Sequence, residues 1–309
     1  MTGRKPGRRG GRENFMEKSG KFSGGALFVL LGAMLWGTTG TSQALAPAGA
    51  TPLAVGALRV AIGGAALLAV ALFRGSFSSG GRWPLAPTVI SILATASYQP
   101  FFFTGVSKTG VAVGTLVTLA SSPVITGALG YLAFGEKPER KWYASSCLAI
   151  IGCSLLTLSG EGGGTVDPVG VLFSLGAGFS YSVFVLGSKR LLRDHGADAV
   201  NGLVFSAAGL VLLPVLLASP PAWLLQPRGL LVAFHLGLIA TALAYFLFLK
   251  GLSTVPASTS VTLSMAEPLT AALLGVLLLG ERMNLTGAAG VALLFSGVAL
   301  LALKSRKAD

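Results

Sequence analysis

The chain has 309 residues, of which 52% are hydrophobic and only 11% charged, and its mean hydropathy is +0.75. A water-soluble globular domain needs far more charged surface than this, so composition excludes that class. The net charge of +12 invites a nucleic-acid partner, and the placement of the charges argues against one.

In chain order, residues 1–24 are Gly- and Arg-rich, lack apolar periodicity, and read as a disordered basic cytoplasmic head. Met16 offers a second possible start. Long apolar runs, nearly free of charge, then predict helices near 25–46, 52–73, 85–104, 110–134 and 142–159. A second set is expected near 168–188, 199–218, 229–249, 257–279 and 284–303, followed by a basic tail over 304–309. Each run supplies the roughly 20 residues a helix needs to cross about 30 Å of hydrocarbon. Strands of an outer-membrane barrel alternate over about ten residues, which these runs do not do. Ala44-Leu45-Ala46 resembles a signal-peptidase site. Removing the first span would unbalance the repeat described next, so the expectation is that it stays.

The two sets are copies of one unit. Pro123 precedes Gly135-Glu136-Lys137 as Pro268 precedes Gly280-Glu281-Arg282, and Gly130, Leu132, Leu148 and Gly152 recur as Gly275, Leu277, Leu293 and Gly297. Leu31-Gly32-Ala33 recurs as Leu175-Gly176-Ala177, and Thr95-Ala96 as Thr241-Ala242. Duplicated apolar units of this kind belong mostly to transporters. Ten helices are five plus five, and five is odd, so two tandem copies must insert in opposite senses. The expected domains are a five-helix repeat over 25–159 and an inverted five-helix repeat over 168–303.

With the N-terminus assigned to the cytoplasm, 19 Lys and Arg fall inside, Lys108, Arg228 and Arg282 fall outside, and Arg59 lies within the membrane, completing 23. This asymmetry is the positive-inside rule, and it puts both termini in the cytoplasm. The first Gly-Glu-basic loop carries Lys137, Arg140 and Lys141 and falls inside; its copy keeps only Arg282 and falls outside. The charge is topological.

Glu267 is the residue most suggestive of function. It lies mid-span in Met265-Ala266-Glu267-Pro268, where a carboxyl costs a few kcal/mol unless it meets a polar cavity or a partner. Its counterpart is Ser122, in Ser121-Ser122-Pro123. The scaffold therefore repeats the proline and not the carboxylate. Glu267 reads as a proton or amine binder, against the alternative of a structural hydrogen bond. Pro123 and Pro268 each remove a backbone donor inside a span and are candidate hinges. Arg59, opposite an apolar counterpart near Val204, is a snorkelling side chain, a carboxylate anchor or a partner for Glu267. Further candidate cavity residues are Trp36 and Gln43 (seven apart on the first helix), Tyr98, Gln99, Tyr181 and Tyr245, with Gln99 and Tyr245 at matching places. His235 reads as interfacial. Cys147 and Cys153 are about 9 Å apart along one helix, too far to pair, and no metal-ligand or cofactor motif is present.

Leu35-Trp36-Gly37, Ala57-Leu58-Arg59 and the two proline-to-Gly-Glu-basic segments, in register across nearly the whole chain, resemble the EamA-type transporters of the drug/metabolite transporter superfamily. The resemblance implies ten helices in two inverted bundles around a central cavity, exporting amino acids, related metabolites or drugs without ATP hydrolysis. The expected activity is secondary transport, outward in direction, of a small polar metabolite such as an amino acid or amine. The expected setting is the inner (plasma) membrane, with protons as a possible coupling ion and the chain working as a monomer. The alternatives are an uncoupled facilitator or a multidrug or organic-cation exporter, and more remotely a membrane-embedded enzyme. The last would need a second mid-membrane acid or a metal set.

Overall fold

The computed structural model describes residues 24–78, 80–135, 137–159, 167–279 and 284–302. Among these there is no strand. Helix α1 consists of Gly24–Gly37 and Thr39–Ala44, α2 is Pro52–Phe73, α3 is Leu85–Thr109, α4 is Val111–Phe134 and α5 is Arg140–Leu158. Helix α6 is Pro168–Leu191, and α7 runs over Ala197–Val211 and Leu213–Ala218. Helix α8 runs from Pro227–Phe234 through a π-helical segment, His235–Leu243, into Ala244–Leu252. Helix α9 is Ala257–Leu263 with Ala266–Leu279, and α10 is Leu285–Ala302.

Eight of these are long and apolar enough to cross a membrane. The sequence reading expected ten. The remaining two are α5, with 19 residues, and α9, which is divided into pieces of 7 and 14 residues. The basic head and tail, Glu136 and the second Gly-Glu-basic loop lie outside the described residues, and with them the sidedness expected for those segments.

Local sequence explains several helix ends. Thr51 and Asp167 cap α2 and α6, accepting from the N–H groups of Ala54 (3.4 Å) and Val169 (2.8 Å), and each is followed by a proline that has no N–H to leave unsatisfied. The glycine of the first Gly-Glu-basic motif ends α4. Gly135 takes φ 66°, and its N–H bonds the Tyr131 carbonyl at 2.9 Å.

The most extensive helix contacts are α3 with α6, α5 with α10, α2 with α7, α4 with α6, α1 with α8 and α9, and α2 with α8. Exchanging each helix for the one five places along maps most of this set onto itself: α3–α6 becomes α8–α1, α4–α6 becomes α9–α1, and α5–α10 and α2–α7 exchange internally, while α2–α8 corresponds to a lesser contact of α3 with α7. Apolar side chains have no water to escape inside a bilayer, so such contacts rely on close van der Waals fit and small residues. At α5–α10, a methyl group added to Gly152 would lie 2.7 Å from the Gly290 carbonyl oxygen. The buried core runs through Trp36, Phe184, Phe205 and Phe248, at the centre of the bundle.

Candidate functional site

A cavity of about 60 Å³ lies among α1, α2, α3, α4, α6, α8 and α9. Its charged lining residues are Arg59 and Glu267; Tyr98, Gln99, Tyr181, Tyr245 and Trp36 add polar aromatic and amide groups, and Ser122, Thr118, Thr39 and Ser264 add hydroxyls. Val261, Met265 and Leu119 complete it. A smaller space of about 10 Å³ adjoins it and shares Arg59, Tyr98, Gln99, Tyr181 and Tyr245.

Helix irregularity delivers these groups. Pro268 has no N–H to give the Ser264 carbonyl, which instead accepts from the Glu267 N–H at 3.0 Å. Helix α9 is interrupted there, at Ser264 and Met265, and Glu267 lies in the first turn of the segment that follows. Helix α1 is interrupted at Thr38, between Trp36 and Thr39. The Thr38 hydroxyl lies 2.7 Å from the Leu35 carbonyl and 2.8 Å from His235 Nε2, so His235 ties this break to the start of the π segment. Helix α4 runs uninterrupted through Pro123. The two prolines thus differ: a break stands one turn before Pro268 and none at Pro123.

Arg59 and Glu267 do not neutralise each other by contact. No ion pair within 4.0 Å joins them. The guanidinium instead donates from Nε to Thr241 Oγ1 (3.0 Å) and from Nη2 to the Ala240 carbonyl (3.2 Å). Tyr181 reaches across to α9, its hydroxyl 3.0 Å from Ser264 Oγ. The Ser264 hydroxyl is committed to the Ser260 carbonyl at 2.9 Å, so Tyr181 is the donor. Trp36 is 5% exposed, and its ring lies 4.7 Å from that of Tyr245 and edge-on to Tyr181 at 6.2 Å. The Trp36 indole Nε1 and the Thr39 hydroxyl are buried and lack a hydrogen-bond partner within the protein. Buried polar groups are usually paired, so both retain a hydrogen bond to give on the cavity wall.

The EamA-like transporter family matches this sequence twice, over residues 23–158 and 168–303. The chain belongs to that family. It is 45% identical over 283 residues to the uncharacterized transporter YwfM of Bacillus subtilis (strain 168), covering 91% of this chain and 95% of that one. It is 29% identical over 272 residues to the threonine/homoserine exporter RhtA of Escherichia coli (strain K12), covering 84% of each. A solved crystal structure with 24% sequence identity superposes with a TM-score of 0.78, covering 91% of this chain and 96% of that one, and shares its fold. This EamA-like protein is therefore a multi-pass membrane transporter.

The structure brings Trp36, Arg59, Tyr98, Gln99, Ser122, Tyr181, Tyr245 and Glu267 together on one cavity. It does not bring Gln43 there. The expectation that Gln43 shares a face with Trp36 assumed one continuous helix, and the break at Thr38 removes that register. Arg59 is anchored on α8, so of the roles open to it, direct pairing with Glu267 is not the one observed. His235 contacts Thr38. Three lining hydroxyls were not anticipated: Thr39, Thr118 and Ser264. Helical spacing held a signal for two of them, because Thr118 lies four residues before Ser122 and Ser264 three before Glu267. Chemically the cavity offers a carboxyl, a guanidinium with unused N–H groups, an orphaned indole N–H and several hydroxyls, a set able to hold both ends of a small dipolar solute.

Proposed function

We propose that this EamA-like transporter is a secondary carrier that exports a small polar metabolite, an amino acid or an amine, across the inner (plasma) membrane by alternating access. The observation that carries the proposal is that one acid and one base, Glu267 and Arg59, line a single cavity without pairing. Glu267 receives the substrate amine or a coupling proton, and Arg59 receives the carboxylate. Tyr98, Gln99, Tyr181, Tyr245, Ser122 and Trp36 supply hydrogen bonds and close the site around the substrate. The RhtA relative is named a threonine/homoserine exporter, which points to the same substrate class.

In this proposal the ten helices cross the bilayer as two five-helix units of opposite sense, residues 25–159 and 168–303. The contact pattern that survives exchange of the two sets supports the pairing, and the 19 to 3 distribution of basic residues supports cytoplasmic termini. Pro123 and Pro268 act as related hinges beside the cavity, and a single chain is the functional unit. The test is counterflow. The purified protein is reconstituted in liposomes loaded with one unlabelled L-amino acid at a time, and entry of the labelled form is followed. A carrier shows entry stimulated by the internal substrate. Entry of large organic cations with no response to any amino acid or amine would reject the proposal.

A further inference from the structure

We propose that the π-helical turn of α8 and the Thr241 hydroxyl on it are the positioning device for Arg59, holding its guanidinium so that one fork is presented to a substrate carboxylate. This rests on the reading of Arg59 as the carboxylate site and adds what makes that site selective. The Ala244 N–H reaches back five residues to the Ile239 carbonyl, so the Ala240 carbonyl loses the donor that an α-helical register would supply. That carbonyl accepts from Arg59 Nη2 at 3.2 Å. Thr241 follows the same register: its hydroxyl donates to the Leu236 carbonyl, five residues back, at 2.7 Å, and accepts from Arg59 Nε at 3.0 Å.

The repeat supplies a control inside the same molecule. The counterpart of Thr241 is Thr95, whose hydroxyl bonds the Ser91 carbonyl four residues back at 2.8 Å, the ordinary α-helical pattern. The position matching Arg59 is apolar and lies near Val204, which is fully buried. The π turn and the arginine therefore occur together in one half and are both absent from the other. The separation of the two helices is fitted to the contact as well. Gly63 stands one turn beyond Arg59 on α2, and a methyl group there would lie 2.8 Å from Thr241 Cβ and 2.9 Å from the Gly237 carbonyl oxygen. A guanidinium has five N–H groups in a planar array. The Nε–Nη2 edge is spent on α8, and of the three N–H groups that remain two form the Nη1–Nη2 edge of a residue that lines the cavity. That edge is the geometry of a bidentate carboxylate contact. A lysine, or an arginine free to rotate, would offer charge without a fixed fork.

The experiment compares binding of L-amino acids and of matched amines to the full chain purified in detergent. The common L-amino acids are screened on the wild type, and the tightest binder is then paired with the amine that lacks its carboxyl group. Thr241→Val keeps shape and removes the hydroxyl; Thr241→Ala serves as a second variant should valine impair folding, and Thr241→Ser restores the hydroxyl. The expected result for Thr241→Val is an amino-acid Kd raised by at least about tenfold, an amine Kd within about twofold of wild type, and recovery in Thr241→Ser. A purely structural role would move both ligands together. If Arg59→Gln removes the preference for the amino acid over its amine while Thr241→Val and Thr241→Ala keep it, the positioning proposal is overturned and the carboxylate reading stands. If Arg59→Gln leaves the preference intact, or no amino acid binds the wild type, both are overturned.

Discussion

Replacing Glu267 by glutamine isolates the charge at the centre of the proposed site. The amide keeps the shape and one acceptor oxygen, so the break in α9, which depends on Pro268 and the Ser264 carbonyl, is left intact. The ammonium–amide contact is still a charge-assisted hydrogen bond but lacks the counter-charge, and that loss costs about 1–2 kcal/mol, in the lower part of the roughly 1–4 kcal/mol attraction of such a pair at about 4 Å. That corresponds to roughly a five- to thirtyfold rise in Kd for a substrate bearing an amine. Arg59 is held by α8 and makes no ion pair with Glu267, so the substitution leaves no arginine contact broken. The assay is equilibrium binding to the purified protein, followed by transport in proteoliposomes across a pH series. Glu267→Gln is expected to insert and purify normally, bind the substrate more weakly by that factor, and transport slowly or without the pH dependence of the wild type. Glu267→Ser, which copies the Ser122 half, is expected to behave alike. Unchanged affinity together with an unchanged pH profile would refute the reasoning and make Glu267 a structural residue.

Three further outcomes are expected. With Cys147 and Cys153 replaced, single cysteines at Glu139 and Asn284 should react with an impermeant maleimide from opposite sides of the membrane, Asn284 from outside; equal labelling of both from outside would end the inverted-repeat account. Pro268→Ala restores an N–H that competes for the Ser264 carbonyl, and should lower transport rate more than substrate affinity, with Pro123→Ala acting in the same direction; full-speed transport in the double variant would reduce both prolines to packing features. Asp167 accepts the Val169 N–H at 2.8 Å and faces Lys108 at 3.5 Å, in that order the causes that hold its carboxyl below the usual carboxylate range. A lowered folded-state value contributes stability above the unfolded value of about 3.9 and loses it as pH falls through the folded one, so Asp167→Asn should show a smaller fall in Tm on acidification than the wild type, and identical Tm profiles would contradict the assignment.

Much of this architecture was legible because lipid imposes simple rules. Long runs without charge gave the helices, and the duplication exposed Glu267 by contrast with Ser122, a comparison that needs no second sequence. The pairing of Gln99 with Tyr245 was read from register alone, and both line the cavity. What stayed hidden depends on backbone departures that apolar composition does not encode. The break at Thr38 put Thr39 on the cavity and took Gln43 off it. Its local hint, two adjacent β-branched threonines between Gly37 and Gly40, is weak against a strongly apolar run. The π turn of α8 shifts register by one residue within an unbroken apolar segment and leaves no mark in composition, so the contact between Arg59 and Thr241, 182 residues apart, had no signal of its own. Division of α9 also explains why one expected span falls short as a continuous apolar helix.

The central claim is that the cavity bounded by Arg59 and Glu267 is where substrate is held during transport. Thr39 lies on its wall, and the hydroxyl has no partner within the protein, so Thr39→Cys sacrifices no hydrogen bond. In a background without Cys147 and Cys153, the rate at which a small maleimide modifies this cysteine is measured as substrate is added. The account predicts that labelling slows as substrate saturates, with half-protection at the concentration that half-saturates transport, and that Glu267→Gln shifts both concentrations together. A substrate that is transported normally while the labelling rate stays constant would contradict it.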